Sequence, residues 1–150
     1  MRSRVICLAM ALAAMLQITE LNAQDAPVAQ WIWDAAEPAD TVYFRTLVEI
    51  DGSPKNASIA AACDNQLVAY VNGKKVLDHA SWETAKRADI SKHLRAGANV
   101  IAFEAKNAGG PAGLIAQVEI ETAGGKTTWV TNKDWKASTS SAPGWNSEIQ

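Results

Sequence analysis

The residues of this 150-residue chain that could do chemistry gather in one stretch, "AACDNQLVAYVNGKKVLDHASW", residues 61–82. Cys63 stands beside Asp64 and Asn65, and His79 and Trp82 close the stretch. A cysteine nucleophile needs an adjacent base, a group that orients the base, and surroundings that lower the thiol pKa. His79 and His93 are the only histidines, and nothing in the sequence supplies the orienting group. Cys63 ends a run of alanines and fits a small core residue better. Nor do Cys63, His79 and His93 show C-x-x-C or H-x-x-x-H spacing, so no transition-metal site is indicated. Sugar recognition asks for something else: an aromatic ring for the apolar C–H face, with amide or carboxylate groups for the hydroxyls. Trp82, Asn65, Tyr70 and Asn107 can supply that mixture. Trp82 is the sharpest of them, because it sits in a polar segment, residues 79–84, outside any alternating pattern. Asn72 reads first as a turn former.

Other reaction classes find little support. Glycoside hydrolysis uses two carboxylates at a fixed separation across a cleft, and a small chain without loop insertions offers little cleft. Gly109-Gly110-Pro111 is a strand connection rather than a phosphate cradle, since proline removes a donor. We therefore expect no enzyme activity in this chain. The charge balance, 14 Lys and Arg against 16 Asp and Glu, lacks the basic excess that nucleic-acid binding uses.

The chain opens with Arg2 and Arg4, an apolar run from Val5 to Leu16, and a small residue at Ala23. That is the layout of a secretory signal peptide over residues 1–23. The run is shorter than the roughly 20 residues of a membrane span. A secreted or periplasmic protein with no membrane segment after cleavage is expected. Without Arg2, Arg4 and Glu20, 12 Lys and Arg face 15 Asp and Glu, a net charge of about −3. Cys7 leaves with the leader, so Cys63 has no disulfide partner within the chain. The core alone must hold the domain. Six tryptophans against two Phe and two Tyr are either core anchors or stacking surfaces. We expect Trp31, Trp33 and Trp135 to be core or sheet-edge anchors.

The elements that position these residues are strands. Thr41–Ile50 alternates cleanly, with Val42, Phe44, Thr46, Val48 and Ile50 on one face. Ala57–Cys63 alternates with small residues. Residues 66–71 and 74–77 flank Asn72-Gly73, the strongest short signal for a type I′ hairpin. Ala88–Ser91 reads as a short strand running into one helical turn. Asn99–Asn107, Leu114–Glu121 and Thr127–Thr131 follow, and 135–138 adds a further short strand. Asp64-Asn65 reads as a tight turn between two adjacent strands. Seven or eight strands with almost no helix indicate an all-β fold, an antiparallel β-sandwich of the jelly-roll kind. Residues 24–30 read as a short linker, 31–138 as the sandwich, and 139–150 as an exposed loop or tail.

Several segments in this order resemble galactose-binding-like β-sandwich modules. They resemble in particular the N-terminal accessory domains of secreted bacterial glycosidases such as α-L-rhamnosidases. The resemblance is carried by Trp31-Ile32-Trp33, Tyr43-Phe44-Arg45, Asp64-Asn65, Tyr70-Val71-Asn72-Gly73, Asp89-Ile90, residues 94–102 (LRAGANVIA) and Asp134-Trp135. Asn132 stands where those modules usually carry a carboxylate. The resemblance implies a non-catalytic carbohydrate-binding module that supports a larger glycoside-degrading protein. The alternative is a structural module that docks on a neighbouring domain. It also implies a further domain beyond residue 150. Some such modules hold a structural calcium in a loop, and Asp40, Asp51 and Asp64 are the hard oxygen donors for it here. No other cofactor is implied.

Overall fold

A computed structural model describes residues 26–34 and 40–149. The expected signal peptide lies outside these residues. Among the described residues nine strands follow in chain order: β1 Thr41–Ile50, β2 Asn56–Asp64, β3 Gln66–Val71, β4 Lys74–His79, β5 Lys86–Asp89, β6 Gly97–Lys106, β7 Gly113–Thr122, β8 Gly125–Val130 and β9 Lys136–Ser138. A 3-10 turn, Ser91–His93, joins β5 to β6. The strands make two sheets, a five-stranded one ordered β4-β3-β6-β1-β9 and a four-stranded one ordered β5-β2-β7-β8. All pairings are antiparallel. The fold is an antiparallel β-sandwich of jelly-roll type.

The core is the product of the period-two pattern. Val42, Phe44, Val48 and Ile50 of β1 face Ile59, Ala61 and Cys63 of β2 across the sandwich, all of them buried. β2 contributes mostly small side chains, which makes room for Phe44 and Phe103 between the layers. Burying each phenylalanine makes its truncation cost about 3–5 kcal/mol. Trp33 and Trp135 pack on that core as anchors: Trp33 lies 5.9 Å from Phe44, and Trp135 lies 5.7 Å from Phe103, centroid to centroid. Trp135 Nε1 also donates to Val130 O at 3.0 Å.

Two expectations need correction. Asp64-Asn65 does not join neighbouring strands of one sheet. β2 belongs to the four-stranded sheet and β3 to the five-stranded one, so this dipeptide carries the chain from layer to layer. Alternation tells inward from outward residues, and it is blind to which sheet a strand joins. The C-terminal stretch is also more than an exposed loop. Trp145 sets its ring edge-on to Tyr43 at 5.0 Å and to Tyr70 at 5.7 Å. Arg45 donates to the carbonyls of Trp145 and Glu148, and Gly73 N donates to Asn146 O at 2.9 Å. Val100 and Ala102 alternate with the inward Ile101 and Phe103, yet they too are fully buried.

At the β3–β4 hairpin, Asn72 and Gly73 take positive φ, 48° and 80°, as a type I′ turn requires. Asn72 does more than turn. Its Nδ2 donates to His93 O (2.9 Å) and Asn99 Oδ1 (2.8 Å), and its Oδ1 accepts from Val100 N (2.9 Å). Asn99, buried, spends its own amide on Arg95 and Gly97. This network ties the 3-10 turn and the start of β6 to the hairpin tip.

Candidate functional site

β3 and β6 pair with Gln66 opposite Lys106, while β2 and β7 pair with Asp64 opposite Gly113. The two sheet-to-sheet crossings, Asp64-Asn65 and residues 107–112, therefore lie side by side at one end of the sandwich. They are laced together. Asn65 N donates to Lys106 O (2.8 Å), and Asn65 Oδ1 accepts from Ala108 N (2.6 Å). Asn107 is buried; its Oδ1 accepts from Gly109 N (3.1 Å) and its Nδ2 donates to Gly110 O (3.3 Å).

The segment after β4 forms the third wall. His79 Nε2 bonds Thr84 O at 2.6 Å, Cys63 N donates to Ser81 O at 3.1 Å, and Glu83 N donates to Ser81 Oγ at 3.2 Å. These contacts pin a six-residue connection and leave Trp82 55% exposed at its crest. Opposite it is Trp31, 52% exposed. Of the two places expected for Trp31, core or sheet edge, it takes the sheet edge, with half of its surface open. Ile32 bridges Leu114 through both backbone groups (2.9 Å each), which brings Trp31 over Gly113. A Cβ on Gly113 would stand only 2.8 Å from Trp31 Cε3. The missing side chain is what lets the indole lie down on the strand.

Trp31, Trp82, Asp64, Pro111, Ala112 and Gly113 line one open groove of about 350 Å³. Beyond the shared crossing lies a polar depression of about 560 Å³ that includes Asn65, Asn107, Asp40, Gln66 and Lys106. Of the residues expected from sequence, the structure brings Trp82, Asn65, Asn107 and Asp64 to this end. Tyr70 is placed elsewhere, on the outer face of the five-stranded sheet against Trp145. Sequence reasoning missed Trp31 and Pro111. The signal for Trp31 is Gly113, which lies 82 positions further along the chain.

The site's chemistry is that of stacking and hydrogen bonding. Two indole faces with one carboxylate, Asp64, line the groove. Cys63, one residue away, is fully buried, and loss of solvation pushes its thiol up to about 12, so it is protonated and inert at neutral pH. Asp40, Asp51 and Asp64 line three different depressions. Among the described residues no three His, Cys, Asp or Glu side chains stand together, so these aspartates do not form a shared carboxylate cage.

No protein-family model matches the chain. An α-L-rhamnosidase of Streptomyces avermitilis is 30% identical over 129 aligned residues, taking in 77% of this chain and 12% of the enzyme. This chain is homologous to part of an α-L-rhamnosidase. The crystal structure of that enzyme complexed with L-rhamnose superposes with a TM-score of 0.74 at 29% identity, over 79% of this chain and 13% of the enzyme. The apo lectin of Pleurotus ostreatus matches equally well, with a TM-score of 0.74, 32% identity and coverage of 81% of this chain and 38% of the lectin. The same lectin in complex with GalNAc gives 0.71 at 30% identity. The rhamnosidase and lectin matches carry the galactose-binding-like resemblance read from the sequence.

Proposed function

We propose that this chain is a non-catalytic carbohydrate-binding module, exported to the periplasm or the exterior, that serves a larger glycoside-degrading protein. The observation that carries the reading is the groove itself, where the exposed indoles of Trp31 and Trp82 meet Asp64 and Pro111. Large exposed aromatic surface is unusual on a free domain and marks a binding site. Indole faces take the C–H face of a pyranose; Asp64 and the asparagines of the adjoining depression take its hydroxyls. Among the described residues the groove presents a single carboxylate, where hydrolysis of a glycosidic bond uses two. In this reading, binding makes and breaks no covalent bond. The likeness to a lectin solved with GalNAc and to a rhamnosidase solved with L-rhamnose supports sugar as the ligand class.

A glycan array and affinity electrophoresis on the purified chain test this. Retention on at least one plant or bacterial polysaccharide, lost in Trp82→Ala, is the expected result. No binding above background to any glycan overturns the reading. A second reading then gains: the groove seats a neighbouring domain. The observation that favours it is that the homologous segment is 12% of a much longer enzyme.

A further inference from the structure

The connection that carries Trp82 runs between two strands that begin with paired cations, Lys74-Lys75 in β4 and Lys86-Arg87 in β5. β4 is an edge of the five-stranded sheet and β5 an edge of the four-stranded one, and the two lie against each other on one flank of the sandwich. Between them is a cleft of about 370 Å³, inside the range of ligand pockets, about 300–1,000 Å³. Its floor is apolar, from Val76, Leu77 and Ala88; its walls carry Lys75, Lys86, Arg87 and Asp78. Asp78 is the one carboxylate there among the described residues, and two ammonium groups share it, Lys75 Nζ at 2.6 Å and Lys86 Nζ at 3.9 Å. Arg87 lines a neighbouring depression as well, where its Nη1 bonds Ser58 Oγ (2.6 Å) and Glu119 (3.4 Å). Lys74 makes no ion pair among the described residues. The flank thus holds a positive surplus in a chain whose net charge is −2.

Lysines on edge strands also discourage edge-to-edge pairing. That role needs exposed charge alone; it does not need charge arranged round an apolar-floored cleft. The cleft is also close to the groove. Lys86 is four positions after Trp82, at most roughly 14 Å of chain, and Lys86 Nζ donates to Asp78 O at 3.0 Å, which fixes the near rim.

We propose that the β4–β5 cleft is a second glycan subsite, one that takes a carboxylate-bearing sugar, a uronic acid, of the polysaccharide held in the Trp31–Trp82 groove. The proposal rests on the carbohydrate reading above. The sugar carboxylate accepts from Arg87 and Lys75, charge-assisted contacts that are stronger than neutral ones, and the C–H face of the ring covers Val76 and Ala88.

Titration calorimetry with an oligogalacturonate and its fully methyl-esterified counterpart tests it, at low salt and at about 0.15 M, where the Debye length is about 8 Å. The acid binds roughly ten-fold tighter than the ester at low salt, and the margin shrinks at the higher salt. Lys75→Gln/Arg87→Gln erases the margin while ester affinity and melting temperature stay put, because both side chains are exposed. Equal affinity for acid and ester, or a margin that survives in the double variant, overturns the proposal. If neutral glycans bind through Trp82 while the acid gains nothing, the cleft fails and the groove stands. If no glycan of either kind binds, both fail.

Discussion

The two ends of the sandwich use asparagine in opposite ways. At one end, Asn72 and Asn99 spend every amide group on each other and on the backbone of residues 93–100, and Asn99 is sealed from water. At the other, Asn65 and Asn107 brace two sheet crossings beside exposed tryptophans. β3 separates them, with Asn65 before its first residue and Asn72 after its last. A self-satisfied polar cluster fixes geometry, because each buried group left without a partner is costly. A braced loop next to bare indole surface instead holds a shape open for something else. The same residue type is therefore architecture at one end and part of a site at the other.

The sharpest way to break this contrast is Asn99→Ala. It strips partners from Asn72 Nδ2, Arg95 N and the carbonyls of Arg95 and Gly97. A loss of about 3 kcal/mol in urea unfolding is expected, with glycan affinity of the remaining folded protein unchanged. A loss under about 1 kcal/mol would mean that the sealed end is not structural in this sense.

Trp82→Ala is the mirror experiment. Stability should move by no more than about 0.5 kcal/mol, since the side chain is exposed and lies outside the core. Affinity should fall roughly thirty-fold, about 2 kcal/mol, as for a binding hot spot. Paired measurements of unfolding and binding on the two variants place each end on one axis. A Trp82→Ala protein that melts well below the parent would make the indole a packing residue and remove the contrast.

Much of the sealed end was legible in the sequence, and only part of the open one. Asn72-Gly73 announces its turn, and the alternation of Thr41–Ile50 and Asn99–Asn107 gives the strands that converge there. At the open end, Trp82 stood out because its surroundings are polar, and Asn65 and Asn107 because their amides suit sugar hydroxyls. Trp31 did not stand out. Trp31-Ile32-Trp33 reads as two equivalent anchors, and only Trp33 reaches Phe44. What separates them is the bare backbone of Gly113 beneath Trp31, a contact between distant positions that no local pattern encodes. The crossing at Asp64-Asn65 and the docking of Trp145 on Tyr43 and Tyr70 were hidden for the same reason. Periodicity reports which way a side chain points, and these features depend on what it meets.

Cys63 sharpens the comparison from beneath the open end. Its folded value of about 12 lies above the ordinary thiol value of 9.0 because burial disfavours the thiolate. Below the ordinary value both folded and unfolded chains keep the proton, so stability is unaffected. Above it the unfolded chain loses the proton first, and the folded state loses ground as pH rises through the window from 9.0 towards 12. One pH unit into that window the cost is about 1.4 kcal/mol. Relative to Cys63→Ala, the parent protein should weaken by about 1 kcal/mol between pH 9 and 10 in chemical denaturation. Parallel pH curves for the two proteins would show a thiol open to solvent, and the open end would then reach into the strand below it.

The finest test is Gly113→Ala, which adds one methyl group to the floor of the groove. At 2.8 Å from Trp31 Cε3, the new Cβ lies inside van der Waals contact and the indole must lift. Nothing in the core needs to move with it, because Trp31 is half exposed and the Ile32–Leu114 bridge uses backbone groups alone. If Trp31 is a stacking surface, its tilt matters more than its presence, and affinity should drop about five-fold, near 1 kcal/mol. Stability should shift by less than that. Trp31→Ala, which removes the ring and relieves the clash, should weaken binding at least as much as Gly113→Ala does, and Gly113→Ala should cost nothing further in that background, so the two changes should not add. Additive losses in the double variant would mean that Gly113 acts on the site by some route other than Trp31.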